Sequence, residues 1–174
     1  MGKMSARATR ATDELAKAGI PYRVLEYEAP ERHGTARDER PAYGLEAAAA
    51  LGVEPARLFK TLVALVDGRP VVTIVPVGGT LDLKALAAAL GGRRADLADP
   101  AEAERATGYV IGGISPLGLR RRLPAVLDAS AMAHATILVS AGRRGLQVEL
   151  APLDLTRAAG ARIAAISRVG GVES

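Results

Sequence analysis

The sequence predicts an α/β domain built around a mixed sheet, and three features point that way. Apolar runs of strand length intermingle with alanine-rich stretches of helical spacing. Two pairs of runs are close enough to be hairpins, one across Asp67-Gly68 and one across 140–145. Strands and helices alternate along the rest of the chain, so hairpins must share the sheet with longer connections. At 174 residues and 49% hydrophobic content, the chain is expected to form a single domain over 1–174, with an ordered core from about 6 to 168.

Taken in order, residues 6–18 alternate apolar and polar side chains with helical spacing, and Gly19 and Pro21 stop them. Tyr22 to Tyr27 reads as a strand, and 29–41, with Pro30, Gly34 and Pro41, as a mobile surface loop. A short helix is expected over 45–51, closed by Gly52. Leu58 to Val66 and Pro70 to Val77 are the first hairpin. Thr80 is placed to cap a helix running to Leu90. Asp99-Pro100 begins another, because Asp caps and proline is tolerated in the first turn. That helix delivers Tyr109 to Ile111, read as a short buried strand, and then Gly112-Gly113 and Ser115-Pro116. Strands over 123–127, 136–139, 146–150 and 163–166 and a helix from Pro152 complete the order.

Composition excludes several chemistries. The chain has no cysteine, so disulfides, thiolate metal sites and a cysteine nucleophile are ruled out. Its two histidines, His33 and His134, lie far apart, too few for a metal site or a Ser-His triad. No cofactor or metal is expected. No apolar run reaches the length of a membrane span, and no signal peptide is evident, so the expected compartment is the cytoplasm. The net charge of +4 is carried mostly by arginine, which suits forked contacts with phosphate but equally reflects codon bias.

Within this frame the glycine pair stands out. Two adjacent residues without side chains, placed directly after apolar ones, make a concavity whose amides can hold a carbonyl oxygen or oxyanion. Lys60 shares a strand face with Leu58, Leu62, Ala64 and Val66. An ammonium on such a face either serves a function or snorkels from the strand's first residues to solvent. Thr61, Ser115 and Ser140 offer hydroxyls, each of which reads equally as a strand or turn residue. No base lies near either serine in sequence, so a serine nucleophile is not expected.

The motifs occur in a telling order: Phe59-Lys60-Thr61-Leu62, Val75-Pro76-Val77, Leu81-Asp82-Leu83-Lys84 and Ala98-Asp99-Pro100 come first. Thr107-Gly108-Tyr109, 112–118 and 139–146 follow. Together they resemble the YbaK/EbsC-type Cys-tRNA(Pro) deacylases, relatives of the editing domain inserted in bacterial prolyl-tRNA synthetases. The resemblance spans about 9 to 168 and implies a mixed, barrel-like β-sheet surrounded by helices. It also implies an enzyme that removes cysteine from mischarged tRNA(Pro), with tRNA(Cys) a further substrate and prolyl-tRNA synthetase a further partner. The synthetase pocket cannot strongly reject a near-isostere of proline, so a second hydrolytic site is the physical remedy.

In that family the substrate's own thiol is thought to attack its ester, leaving the protein to orient and to stabilise charge. The resemblance then assigns catalytic roles to Lys60, Gly112 and Gly113. It assigns substrate contacts to Tyr27, Phe59, Thr61, Ile114, Ser115, Ser140 and Gln147. Two departures stand out: the segment 33–41 is longer than the usual family loop, and Gln147 stands where many relatives carry aspartate. Glu149 shares the strand face of Gln147, but the aspartate's role is not transferred to it. The competing readings are a tRNA- or synthetase-binding module without catalysis, and a deacylase of another charged tRNA such as Ala-tRNA(Pro).

Overall fold

A computed structural model describes residues 8–29 and 40–169. Helix α1 (Arg10–Lys17) opens on a capping box, in which Thr9 and Thr12 bond each other's backbone amides. Strand β1 (Arg23–Glu26) follows, and then α2 (Arg40–Leu51). This helix begins about a turn before the expected start at residue 45. Pro41 lies in its first turn, where a missing N–H costs nothing. The expected loop over 30–39 lies outside the described residues.

Strands β2 (Phe59–Val66) and β3 (Arg69–Pro76) form the first hairpin in full register from Phe59↔Pro76 to Val66↔Arg69. Asp67 and Gly68 both have positive φ, 49° and 82°, as a two-residue type I′ turn demands. The next segment departs from expectation. Gly79–Leu81 is a short strand, β4, and the cap of α3 (Leu83–Ala89) is Asp82, which accepts from the Ala85 amide at 3.0 Å. Thr80 is drawn into pairing with β10 (Ser167–Val169), a strand at the very end of the expected ordered core.

Strand β5 (Ala95–Leu97) leads to α4 (Pro100–Thr107), capped by Asp99 as expected and ended by Gly108 in the left-handed region. Strand β6 (Ala125–Asp128) precedes the second hairpin, β7 (Ile137–Arg143) and β8 (Leu146–Leu150). Strand β7 runs four residues past its expected end and absorbs the extra length as a bulge between Ser140 and Arg143. Helix α5 (Pro152–Ala159) and β9 (Ala161–Ala164) precede β10.

The strands form sheets ordered β5-β2-β3-β6-β9, β1-β8-β7 and β10-β4, with β3-β6 and β6-β9 parallel and the remaining pairs antiparallel. The sheet is therefore mixed. An isolated parallel bridge, Leu58↔Leu138, joins the larger two sheets. Their inner faces share one core: Phe59, Val72, Ile74 and Leu127 meet Ile137, Val139, Leu146 and Val148, sealed by Ala11 and Leu15 of α1 and Leu155 of α5. On the opposite face, α3 packs Leu86 on Ala64, Val66 and Val75. Helix α2 covers Leu58, Val77 and Leu138 with Ala47 and Ala48. Among the described residues no helix is long and apolar enough to cross a membrane.

Candidate active site

Strand register assembles the site. Leu58 and Leu138 are bridge partners in a parallel sense, so two residues further along each strand stand Lys60 and Ser140 on the same outer face. Ser140 is paired with Gln147 across the second hairpin, and Gln147 with Leu25 of β1. Lys60 is paired with Val75. Lysine, hydroxyl and carboxamide thus lie in one row, between the apolar cluster under α2 and the one under α3. Lys60 and Ser140 are half-buried; Gln147 is buried. Tyr27 packs at the edge of the α2 cluster, and its amide donates to the Gly145 carbonyl at 2.9 Å.

Two polar atoms in this region are without a partner among the described residues: the Gln147 Oε1 and the Thr61 Oγ1 are buried and make no hydrogen bond there. A buried acceptor in that state costs about 1–3 kcal/mol, which a stable fold tolerates where a ligand supplies the missing donor. Gln147 lies on the face of Lys60 and Ser140. Thr61 points the other way, on the side of Phe59. Glu149, two residues beyond Gln147, is fully engaged: it pairs with Arg57 at 2.7 Å and Arg23 at 3.0 Å, and Thr136 Oγ1 donates to it at 2.7 Å. The Thr136 hydrogen bond, then the Arg57 one, hold its carboxyl below the usual carboxylate range. It is a structural acid.

The glycine loop is not a buried strand continuing the core. Val110 is 66% exposed, and residues 110–113 close a turn in which the Gly113 amide donates to the Val110 carbonyl at 3.0 Å. Gly112 has φ 93°, the third-position value of a type II turn, which glycine alone adopts without strain. Gly113 is required for a different reason. A Cβ there would lie 2.7 Å from Arg143 Cα, while at Gly112 it would meet the flexible Arg144 side chain at 3.0 Å. The loop is therefore seated directly on the end of the second hairpin, the strand pair that carries Ser140 and Gln147. Its geometry leaves Gly112, rather than both amides, as the candidate oxygen donor.

Several residues drawn from the resemblance serve packing. Phe59 is 2% exposed within the inner core, on the face opposite Lys60. Ile114 packs with Val63, Ala98, Ala103 and Tyr109. Ser115 is wholly buried and accepts from the Leu117 amide at 3.2 Å, the turn-stabilising alternative. Sequence reasoning missed Tyr109, whose hydroxyl donates to the Leu117 carbonyl at 2.6 Å beneath the loop. Burial pushes its phenol up to about 12, against the opposing charge of Arg10. It also missed Asp128, a buried acid accepting from the Ile166 amide at 2.8 Å; its only signal was an aspartate ending an apolar run.

The class of protein follows from a family model, the aminoacyl-tRNA editing domain, which matches residues 39–158. The chain belongs to that family. Among its relatives is EbsC of Enterococcus faecalis, 36% identical over 151 residues, covering 86% of this chain and 87% of that one; EbsC bears an inferred assignment as a Cys-tRNA(Pro)/Cys-tRNA(Cys) deacylase. The multifunctional Ser/Thr-tRNA deacylase ProXp-y of Escherichia coli is 33% identical over 132 residues, covering 74% of this chain and 72% of that one. The fold matches a crystal structure described as an inferred trans-editing enzyme for prolyl-tRNA synthetase, with a TM-score of 0.78 at 27% identity over 95% of this chain and 99% of that one.

Proposed function

We propose that this protein is a trans-editing deacylase that removes cysteine from mischarged tRNA(Pro), by attack of the substrate's own thiol on the ester. The observation that carries the reading is the row Lys60–Ser140–Gln147 with its unpartnered Gln147 Oε1, on a chain of the editing family. The α-ammonium of an aminoacyl ester is a donor suited to that acceptor, and would leave the thiol and carbonyl toward the glycine turn. Lys60 contacts the terminal nucleotide or the ester and favours developing negative charge, with the Gly112 amide steadying the carbonyl oxygen. Sulfur bonds to the carbonyl carbon and the bond from carbon to the ribose oxygen breaks. The thiol proton ends on that oxygen, giving a thiolactone and free tRNA. The protein supplies position and charge, consistent with a chain that has no cysteine of its own.

A second reading is favoured by the likeness to ProXp-y: removal of serine or threonine, whose hydroxyls replace the thiol. Lys60→Ala tests the site under either reading. Deacylation is expected to fall at least about a hundredfold, as for loss of one oxyanion-stabilising group, with the denaturant midpoint little changed. Retained turnover in the folded variant would remove Lys60 from the chemistry. Prolyl-tRNA synthetase fits as a partner that supplies tRNA choice, a role read out by co-sedimentation with and without tRNA.

A further inference from the structure

The carboxylates around the C-terminal end of α4 are turned inward. Glu14 accepts from the Gly118 amide at 2.5 Å and Glu104 from the Ile111 amide at 2.9 Å, while Asp99, at the opposite end of the helix, is exposed and caps it through the Glu102 amide at 2.9 Å. The arginines among them are left facing solvent: Arg105, Arg120 and Arg121 are exposed, and none of them makes an ion pair with a described residue. Arg105 and Arg121 line one shallow cleft of about 230 Å³, which holds a single carboxylate, Glu102.

These cations are linked to the candidate site by direct contacts. A Cβ at Gly108 would lie 3.1 Å from Arg120 Cβ and 3.0 Å from the Arg10 guanidinium. Arg10 donates to the Gly108 carbonyl at 2.9 Å and sits 4.7 Å over the Tyr109 ring. That ring in turn abuts Gly142, beside Arg143 and Arg144, on which the glycine turn rests. A second basic cleft, of about 690 Å³ and lined by Lys84, Arg93, Arg94 and Arg168, differs because its charge is compensated. Arg168 pairs with Asp82 at 3.0 Å and Arg94 with Asp96 at 3.1 Å.

We propose that Arg105, Arg120 and Arg121, continued through Arg10 to the 143–144 turn, form the track that receives the phosphate backbone of the tRNA acceptor arm while its 3′ end occupies the site. The inference rests on the deacylase reading and names how the rest of that substrate is held. Exposed guanidinium groups with little carboxylate contact to give up, Arg105 near Asp99 and Arg143 at 3.5 Å from Glu26, gain from phosphate through forked hydrogen bonds and released counterions. They read the backbone without base specificity, and the Tyr109 ring within the track is buried beneath Arg10 rather than offered to a base.

The test uses the full chain and the triple variant Arg105→Ala/Arg120→Ala/Arg121→Ala; Arg10 is spared because it holds Gly108 and Tyr109. Binding of uncharged tRNA(Pro) is followed by fluorescence anisotropy from about 50 to about 200 mM salt. The variant is expected to bind about tenfold or more weakly at the low end, and to lose about 2 to 3 units of log–log salt slope. KM for charged tRNA should rise, with turnover of a short cysteinylated RNA ending in the same adenosine unchanged. Unchanged affinity and slope in a folded variant would overturn the track and leave the deacylase reading standing. Steep, arginine-dependent binding by a protein that hydrolyses no charged tRNA would support the track while ending the deacylase reading.

Discussion

Gln147 concentrates the account at the level of single residues. If its buried Oε1 is kept for a substrate donor, it is a liability in the free protein. Gln147→Leu should then leave stability unchanged or raise it by about 1 kcal/mol, while deacylation falls by about tenfold or more. Urea titration beside a rate measurement checks this; a destabilised variant with intact turnover would make Gln147 structural. Glu149 predicts the reverse. Its carboxyl is held below its ordinary value, so its stabilisation is present above the usual carboxylate range and is lost as pH falls through the folded-state pKa. Glu149→Gln should cost about 1–2 kcal/mol at neutral pH and flatten the acid limb of stability against pH. Equal acid sensitivity in variant and parent would contradict that role.

The glycine turn and the second hairpin act as one element, because Gly113 has no room for a side chain above Arg143. Gly113→Ala should force the two backbones apart at a cost of about 1–3 kcal/mol. Since the hairpin carries Ser140 and Gln147, turnover should fall with it. Gly112→Ala meets only a flexible arginine and pays mainly for its positive φ. Thermal melts of the two variants should show the Gly113 change as the more damaging, and the opposite ranking would refute the packing. This pair also marks what sequence could reveal. Glycines in tandem after apolar residues signalled a close approach, but not what approached, since Arg143 is thirty residues away in the chain. Likewise Asp67-Gly68 and Asp99-Pro100 announced their turn and cap through local chemistry alone. Thr80 lost its expected capping role because β10, far along the chain, recruits β4 into a ladder.

Across the whole molecule, the same distinction separates core from site. Alternation in β2 correctly placed Lys60 with Leu58 and Leu62, yet it could not say that the Phe59 face looks into a second sheet. That fact comes from β7 and β8 closing over it, so a residue assigned to substrate by resemblance is a core residue by topology. The row of Lys60, Ser140 and Gln147 likewise exists only once the Leu58↔Leu138 bridge sets two distant strands side by side. The central claim is that this row works on a substrate that brings its own nucleophile. The most direct measurement charges one tRNA(Pro) with cysteine and, separately, with serine or alanine, and compares single-turnover deacylation by the same protein. The account predicts fast release of cysteine, faster still as pH approaches the thiol pKa of about 8.5, with serine and alanine esters nearly inert. Comparable release of alanine, whose side chain offers no nucleophile, would contradict it, while comparable release of serine alone would select the second reading.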